Sequence, residues 1–281
     1  MAVAARMSKQ RMELFYDVIS PYSWVAFEIL CRYRTQWNLT LELKPFLLGG
    51  VMQASGNSPP AKVPAKGPYM LQDLERIRRH AGIPLTPPKD FASTILRKGS
   101  LKAQRLLTAA SLYAPDAVEA LSRAFWRRTW ENVSPLVLLN SYLIASPLPL
   151  HSLWTLVDPP HLRRAVSLDV PHTTTPALFQ DLDITEDASL AHVCKEAGVD
   201  EALSAKLLGS IAQQDVKDRL KKVTEEAVER GAFGAPIIFT ADGQMFFGSD
   251  RFDLIGAHIG NPYLGPFPEA SLSSRPKAAK L

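Results

Sequence analysis

Thiol chemistry has little to work with in this chain. Among 281 residues there are two cysteines, Cys31 and Cys194, and neither belongs to a Cys-x-x-Cys or a metal-binding pattern. That excludes a disulfide framework and a dithiol redox centre. Cys194 shares a helical face with Leu190, Val193 and Ala197, and both cysteines are expected as packed, reduced thiols. The six histidines show no ligand spacing, so no metal is expected. Long apolar runs are missing too. Pro135, Pro147 and Pro149 confine the longest to eleven residues, well short of the roughly 20 that a membrane helix needs. No secretory leader is visible. Charge of one sign is also scarce: the net charge is +4. The basic clusters Arg76, Arg78, Arg79 and Arg123, Arg127, Arg128 fall at helical spacings with acids nearby, as solvated helix faces do. No nucleic-acid motif accompanies them. A small anionic ligand fits this balance better than DNA.

What the chain does have is Met12 to Trp24. Its first half alternates and is rich in β-formers, which predicts a strand. Its second half, Ser20-Pro21-Tyr22-Ser23-Trp24, predicts a helix start. Ser20 is a good N-cap, and Pro21 suits the first helical position, where its missing N–H costs nothing. Trp24, Phe27, Cys31 and Tyr33 continue as an apolar stripe. A strand feeding a helix N-terminus aims free N–H groups and the positive helix end at whatever lies above Ser20. Thioredoxin-like oxidoreductases place Cys-x-x-Cys at such a junction, because the helix end lowers the thiol pKa. Ser20-Pro21-Tyr22-Ser23 has the same spacing with both sulfurs replaced by oxygen. It cannot exchange disulfides, but its hydroxyl can donate to a thiolate brought by a ligand. An ordinary Ser-Pro helix cap competes with that interpretation until the rest of the chain is considered.

Further along, Leu39 to Leu48 alternates as a second strand ended by Gly49-Gly50, completing a βαβ unit. Asn57 to Pro68 is a proline-dense loop carrying Lys62 and Lys66. Helical patterns follow over 69–80, 90–98, 101–112, 115–130, 187–197, 201–211 and 214–230. Gly231 to Pro236 leads into a hairpin, Ile237 to Thr240 and Met245 to Phe247, around the tight Asp242-Gly243 turn. A last helix over 252–259 is expected, with Ser249 or Asp250 as its cap. The order βαβ, helical block, ββα predicts an α/β fold: a thioredoxin-like domain with an inserted all-helical domain.

With these segments in place the sequence resembles the kappa-class glutathione transferases and their relatives, the 2-hydroxychromene-2-carboxylate isomerases and DsbA-type oxidoreductases. The resemblance rests on Phe15-Tyr16-Asp17-Val18 with Ser20 to Trp24, Ser55-Gly56-Asn57, Pro64 to Gly67, Gly231 to Pro236, and Phe247 to Arg251. It implies a thioredoxin-like domain in two parts, 12–68 and 231–267, around a DsbA-like helical domain, 69–230, with a tail over 268–281. It also implies glutathione as co-substrate, with no tightly bound cofactor. Ser20 then corresponds to the catalytic hydroxyl that donates to the glutathione sulfur, with Pro21 and Tyr22 beside it. Pro236 corresponds to a facing cis-proline, and the Ala235 backbone to the partner of the cysteinyl moiety. The family often has a larger aliphatic residue at that position, which matters little because main-chain atoms do the pairing. Ser249, Asp250 and Arg251 fall where the γ-glutamyl end is held, and Asn57 and Lys66 near the glycyl end. The implied activity is conjugation to small electrophiles, with peroxide reduction alongside, by a homodimer. Glutathione-dependent isomerisation is the alternative within the scaffold, and a catalytically silent glutathione-binding adaptor the alternative outside it.

Residues 133–180 do not belong to this pattern. They hold only four charged side chains (Asp158, Arg163, Arg164, Asp169) and seven of the 22 prolines, and joining Asn132 to Asp181 restores a smooth polar turn. Val133-Ser134 is encodable as a splice donor and Pro176 to Gln180 as a pyrimidine-rich acceptor ending in CAG. We hypothesise a translated in-frame intron, expected to be disordered or loosely collapsed. A genuine long loop competes, although structureless loops of this length are uncommon in compact domains. Genomic sequence without splice consensus at both joins would sink the idea. At the far end Ala279-Lys280-Leu281 is one conservative step from the Ser-Lys-Leu address, which predicts a peroxisomal import receptor as partner and a peroxisomal location. Arg6, Lys9 and Arg11 in an acid-free start keep the mitochondrion as the alternative.

Overall fold

The computed structural model describes residues 9–88, 90–131 and 183–268, which fall within one compact unit. The interruption expected over 133–180 and the tail beyond residue 268 lie outside the described residues.

Strand β1 (Gln10–Tyr16) runs through the middle of a four-stranded sheet of order β2-β1-β3-β4. On one side it pairs in parallel with β2 (Leu39–Pro45), Phe15 opposite Lys44. On the other it pairs antiparallel with β3 (Ile237–Thr240), Phe15 opposite Ile237, and β3 continues into β4 (Met245–Phe247). The two-residue alternation of a strand divides its side chains between two cores. Met12, Leu14 and Tyr16 join the larger, packed with Trp24, Phe27, Leu106, Phe125 and Trp126. Phe15 joins the smaller, with Phe46, Val51, Val223 and Phe239.

Helix α1 (Pro21–Tyr33) covers the first face, burying Trp24, Val25, Phe27, Ile29, Leu30 and Tyr33. Between β2 and β3 come α2 (Leu48–Ser55), α3 (Lys66–Ala81), α4 (Leu101–Tyr113), α5 (Val118–Trp130), α6 (Asp187–Glu196), α7 (Glu201–Ser210) and α8 (Gln214–Glu229), with a π-helical turn over Ala92–Lys98. Helix α9 (Phe252–His258) closes the described chain. Cys31 and Cys194 are both free thiols. Burial pushes Cys31 up to about 12 and raises Cys194 as well, so neither offers a thiolate near neutral pH.

Three expectations need correction. The second strand ends at Pro45, not Leu48, and Gly49-Gly50 lie inside α2. The Leu47 N–H goes to Thr224 Oγ1 (3.0 Å) and the Leu48 N–H to Asp17 Oδ2 (2.9 Å), so distant acceptors satisfy the helix start. Gly50 is there for close packing: a Cβ would lie 3.3 Å from Thr224 Cγ2. The proline-dense loop is shorter than expected, because it holds a 3₁₀ turn at Pro60–Lys62 and gives way to α3 at Lys66. Pro68 sits in the first turn of α3, where a missing N–H is tolerated. Finally, Ser249 and Asp250 do not cap α9. Its N-cap position is Arg251, with no side-chain cap bond, and the Asp250 carboxylate instead accepts from Arg251 Nη1 at 2.7 Å.

Candidate active site

The site begins where β1 ends. Ser20 adopts an extended conformation and caps α1, its Oγ accepting from the Ser23 N–H at 3.2 Å. That bond takes one of the two lone pairs of the oxygen and does not use the hydroxyl proton, which can therefore be donated to a ligand. The Ser20 backbone is held on both sides: its N–H donates to the Asp17 carbonyl (3.0 Å), and its carbonyl accepts from the Trp126 indole (3.2 Å). Ser23 is fully buried, and its hydroxyl has no partner among the described residues.

Across the sheet, β3 is preceded by a cis Ala235–Pro236 peptide. Because Ile237 stands opposite Phe15, this peptide and Ser20 emerge at the same end of two adjacent strands. The turn before it is pinned twice. Asn57 Nδ2 donates to the Phe233 carbonyl at 2.7 Å, and the rings of Phe233 and Phe247 meet at 4.5 Å. Gly234 fits under that pair because it lacks a side chain; a Cβ there would lie 2.9 Å from Phe247 Cε2.

Ser20 and Ala235 face a common cavity of about 600 Å³. Of the residues expected to bind, Ser20, Pro21, Tyr22, Asn57 and Ala235 line it. Pro236, Lys66, Ser249, Asp250 and Arg251 are not in its lining, although Pro236 is bonded to one lining residue and Asp250 acts on another. Tyr22 has its phenol pushed up by burial first, then by Asp73, which accepts its hydroxyl at 3.1 Å, and by the charge of Asp250. Lys66 opens α3 on the exposed surface, whereas Lys62, at the end of the 3₁₀ turn, lines the cavity. Much of the wall is apolar, from Leu48, Met52, Met70, Phe91, Ile95 and Trp130. It is joined by Lys98, whose ammonium meets Asp183 at 2.7 Å.

Among the polar residues that line the cavity, Lys62 and Ser100 were not among those expected to bind. Lys62 follows Pro59-Pro60, a pair that favours a tight turn and so fixes a lysine, and that signal was readable. Ser100 lines the cavity and donates to Asp17 at 2.7 Å. The two are far apart in the chain, and no local pattern announces their contact.

Chemically, the cavity offers a hydroxyl donor at a helix N-terminus, the backbone of Ala235 beside a cis-proline, an exposed lysine and an apolar wall. Among the described residues no helix is long and apolar enough to cross a membrane. A helix N-terminus delivered by a parallel strand to the face of a cis-proline defines a thioredoxin-type protein. In keeping with that, a model of the DsbA-like thioredoxin domain matches residues 11–138 and 176–260. The break in the match, 139–175, lies inside the interruption read from the sequence. The chain is 40% identical to glutathione S-transferase kappa 1 of Homo sapiens, covering 92% of this chain and 95% of that protein. It is 35% identical to the protein of the same name from Rattus norvegicus, covering 92% and 94%. A solved structure of 2-hydroxychromene-2-carboxylate isomerase matches with a TM-score of 0.58 over 89% of this chain and 94% of its own, at 19% identity, a likeness of fold alone. The chain belongs to the kappa class of glutathione S-transferases.

Proposed function

We propose that this chain is a glutathione transferase that binds glutathione across the Ser20–Ala235 cavity and activates it as a thiolate for attack on small electrophiles. The observation that carries this reading is Ser20 itself: its oxygen accepts from the Ser23 N–H, its proton goes to no acceptor among the described residues, and it faces the cavity from the start of α1. A cysteinyl thiol has a pKa of about 8.5, and each unit of depression requires about 1.4 kcal/mol of preferential thiolate stabilisation. A hydrogen bond to the charged sulfur supplies about 1.5–3 kcal/mol and the helix end about 0.3–1 more. The sum lowers the thiol by roughly one to three units, enough to make much of the bound glutathione a thiolate near neutral pH.

In this proposal the Ala235 backbone pairs with the cysteinyl moiety beside Pro236. Asp250 attracts the γ-glutamyl ammonium, with Ser249 and Arg251 next to it. Asn57 and the lysines Lys62 and Lys66 lie toward the glycyl carboxylate. The apolar wall formed by Met52, Met70, Phe91 and Ile95 receives the electrophile. The same thiolate reduces a peroxide as a side reaction. We propose further that the chain works as a homodimer, and that its thioredoxin-like parts are 12–68 and 231–267 around the helical domain. Ala279-Lys280-Leu281 takes it to the peroxisome through the import receptor, with the mitochondrial matrix as the alternative.

The test is an ultraviolet difference titration of bound glutathione with Ser20→Ala alongside. A thiolate band at least a pKa unit below free glutathione, lost in the variant, supports the transferase. Binding without thiolate supports a silent adaptor. Turnover of a chromene substrate but not of a halonitrobenzene supports the isomerase.

A further inference from the structure

Asp17 is fully buried, yet no cation meets its carboxylate among the described residues. Oδ1 accepts from the Ile19 N–H at 3.0 Å. Oδ2 accepts from the Leu48 N–H at 2.9 Å and from the Ser100 hydroxyl at 2.7 Å. These donors sit just before α1, at the first residue of α2 and at the residue preceding α4. One of the three donors is thus the first N–H of a helix, α2, whose positive end favours the buried anion, and the other two come from the residues that lead into α1 and α4. Ile19, Leu48 and Ser100 all line the cavity with Ser20, so the carboxylate lies directly behind the cavity wall.

Ser100 is buried against that wall. It occupies the N-cap position of α4, but its side chain makes no cap bond, and its hydroxyl donates to Asp17. That leaves its oxygen able to accept from the cavity side. Little else near the pair titrates. The Tyr16 hydroxyl is bonded to Ser122, and the Tyr22 phenol donates to Asp73. Lys98 is taken up by Asp183, and Glu13 by Arg230 and Lys44. Burial outweighs the three hydrogen bonds at Asp17 and lifts it to about 6, where it is ionised near neutral pH but still a competent proton acceptor.

A thiolate formed over Ser20 while Asp17 stayed ionised would place two like charges in one low-dielectric site. We propose that Ser100 and Asp17 form a proton relay that takes the thiol proton from glutathione bound over Ser20. The proposal rests on the glutathione reading above. The S–H bond breaks, its electron pair stays on sulfur and its proton passes to Ser100 Oγ. The proton already on Ser100 crosses to Asp17 Oδ2. The products are a thiolate, an intact Ser100 hydroxyl that now donates toward the sulfur, and a neutral Asp17 carboxyl. One negative charge has moved from carboxylate to sulfur, and both positions face helix N-termini. Ser100 is the catalytic residue of this step, and Asp17 acts through it.

The experiment mixes the full-length protein with glutathione near neutral pH in weak buffer, recording thiolate absorbance and proton release together, with S-methylglutathione as the blank. The wild type is expected to form thiolate without a matching release of protons. Ser100→Ala removes no helix cap, so circular dichroism should be unchanged. In it kcat/KM should fall about a hundredfold, and whatever thiolate forms should appear with an equal release of protons. Ser100→Thr, which keeps the hydroxyl, should restore the wild-type count. Proton release equal to thiolate in the wild type, or an unchanged count in Ser100→Ala, overturns the relay and leaves the transferase standing. Failure to bind glutathione at all overturns the functional reading and the relay with it.

Discussion

Glu13 and Asp17 belong to the same short stretch of chain, Glu13 within β1 and Asp17 just past its end, and both are buried. Their carboxyls finish in opposite states. Burial would raise Glu13, but Arg230 (2.8 Å) and Lys44 (3.3 Å) hold it below its ordinary value. Asp17 meets only neutral donors, and burial lifts it to about 6. Burial alone does not decide whether a carboxylate is inert. Cations lock a buried anion in its charged form, whereas N–H and O–H donors hold it in place and leave it able to take a proton. The first arrangement serves the fold. The second, set behind the cavity wall, is suited to chemistry.

The comparison breaks most visibly at Glu13. Glu13→Ala leaves Arg230 and Lys44 without their main partner and should destabilise by about 3 kcal/mol, read as a lower urea midpoint, with kcat unchanged. A large loss of kcat would erase the distinction between the two carboxyls. The next effect is in pH. Asp17 binds its proton more tightly folded than unfolded, so its contribution to stability is fully present below about pH 4 and is lost as pH rises through about 6, a change of roughly 2–3 kcal/mol. Glu13 contributes in the opposite sense: its stabilisation is present above its unfolded value and lost as pH falls through the lowered folded one. Denaturation midpoints across this range should lose the first slope in Asp17→Asn and the second in Glu13→Gln. Trp126→Phe, which removes the indole donor to the Ser20 carbonyl, should cost about 1 kcal/mol in stability and raise the pKa of bound glutathione. The smallest effect is at the exposed lysine, where Lys62→Gln should raise KM for glutathione by a few fold, equivalent to about 0.5–1 kcal/mol, and leave kcat alone.

Local signals carried much of this architecture into the sequence. The Ser20 junction was legible because a strand pattern, a cap and a proline at the first helical position stand side by side. The hairpin was legible from Asp242-Gly243, and Gly243 takes the positive φ that its turn requires. What escaped detection is held together over distance. Helix α2 starts at Leu48 because Asp17 and Thr224 accept its first free N–H groups, and from sequence alone Gly49-Gly50 looks like a strand end. The Asp17–Ser100 contact spans 83 residues, with nothing at either position to flag it. Asp250 has the composition of a helix cap but spends its carboxylate on Arg251, since an exposed guanidinium one residue away competes for it. Five expected binding residues lie along one cavity; the others were named by position in a motif, and motif order does not fix which side chains reach the wall.

The central place of β1 has a consequence for how the protein is made. Met12 pairs with Thr240, so the wall of the cavity that carries Ser20 leaves the ribosome long before the wall that carries Ala235. At roughly 5–20 residues per second the delay is about 10–45 s. Through that interval β1 has β2 beside it and an open edge on the other side. Removing residues 133–180 from the intervening chain would shorten the wait by a fifth, but would change the entropy of closing β1 onto β3 by only about 0.2 kcal/mol. Length added in the middle of this chain is thus nearly free at equilibrium and is felt chiefly as time, during which a nascent half-sheet is exposed to other partners.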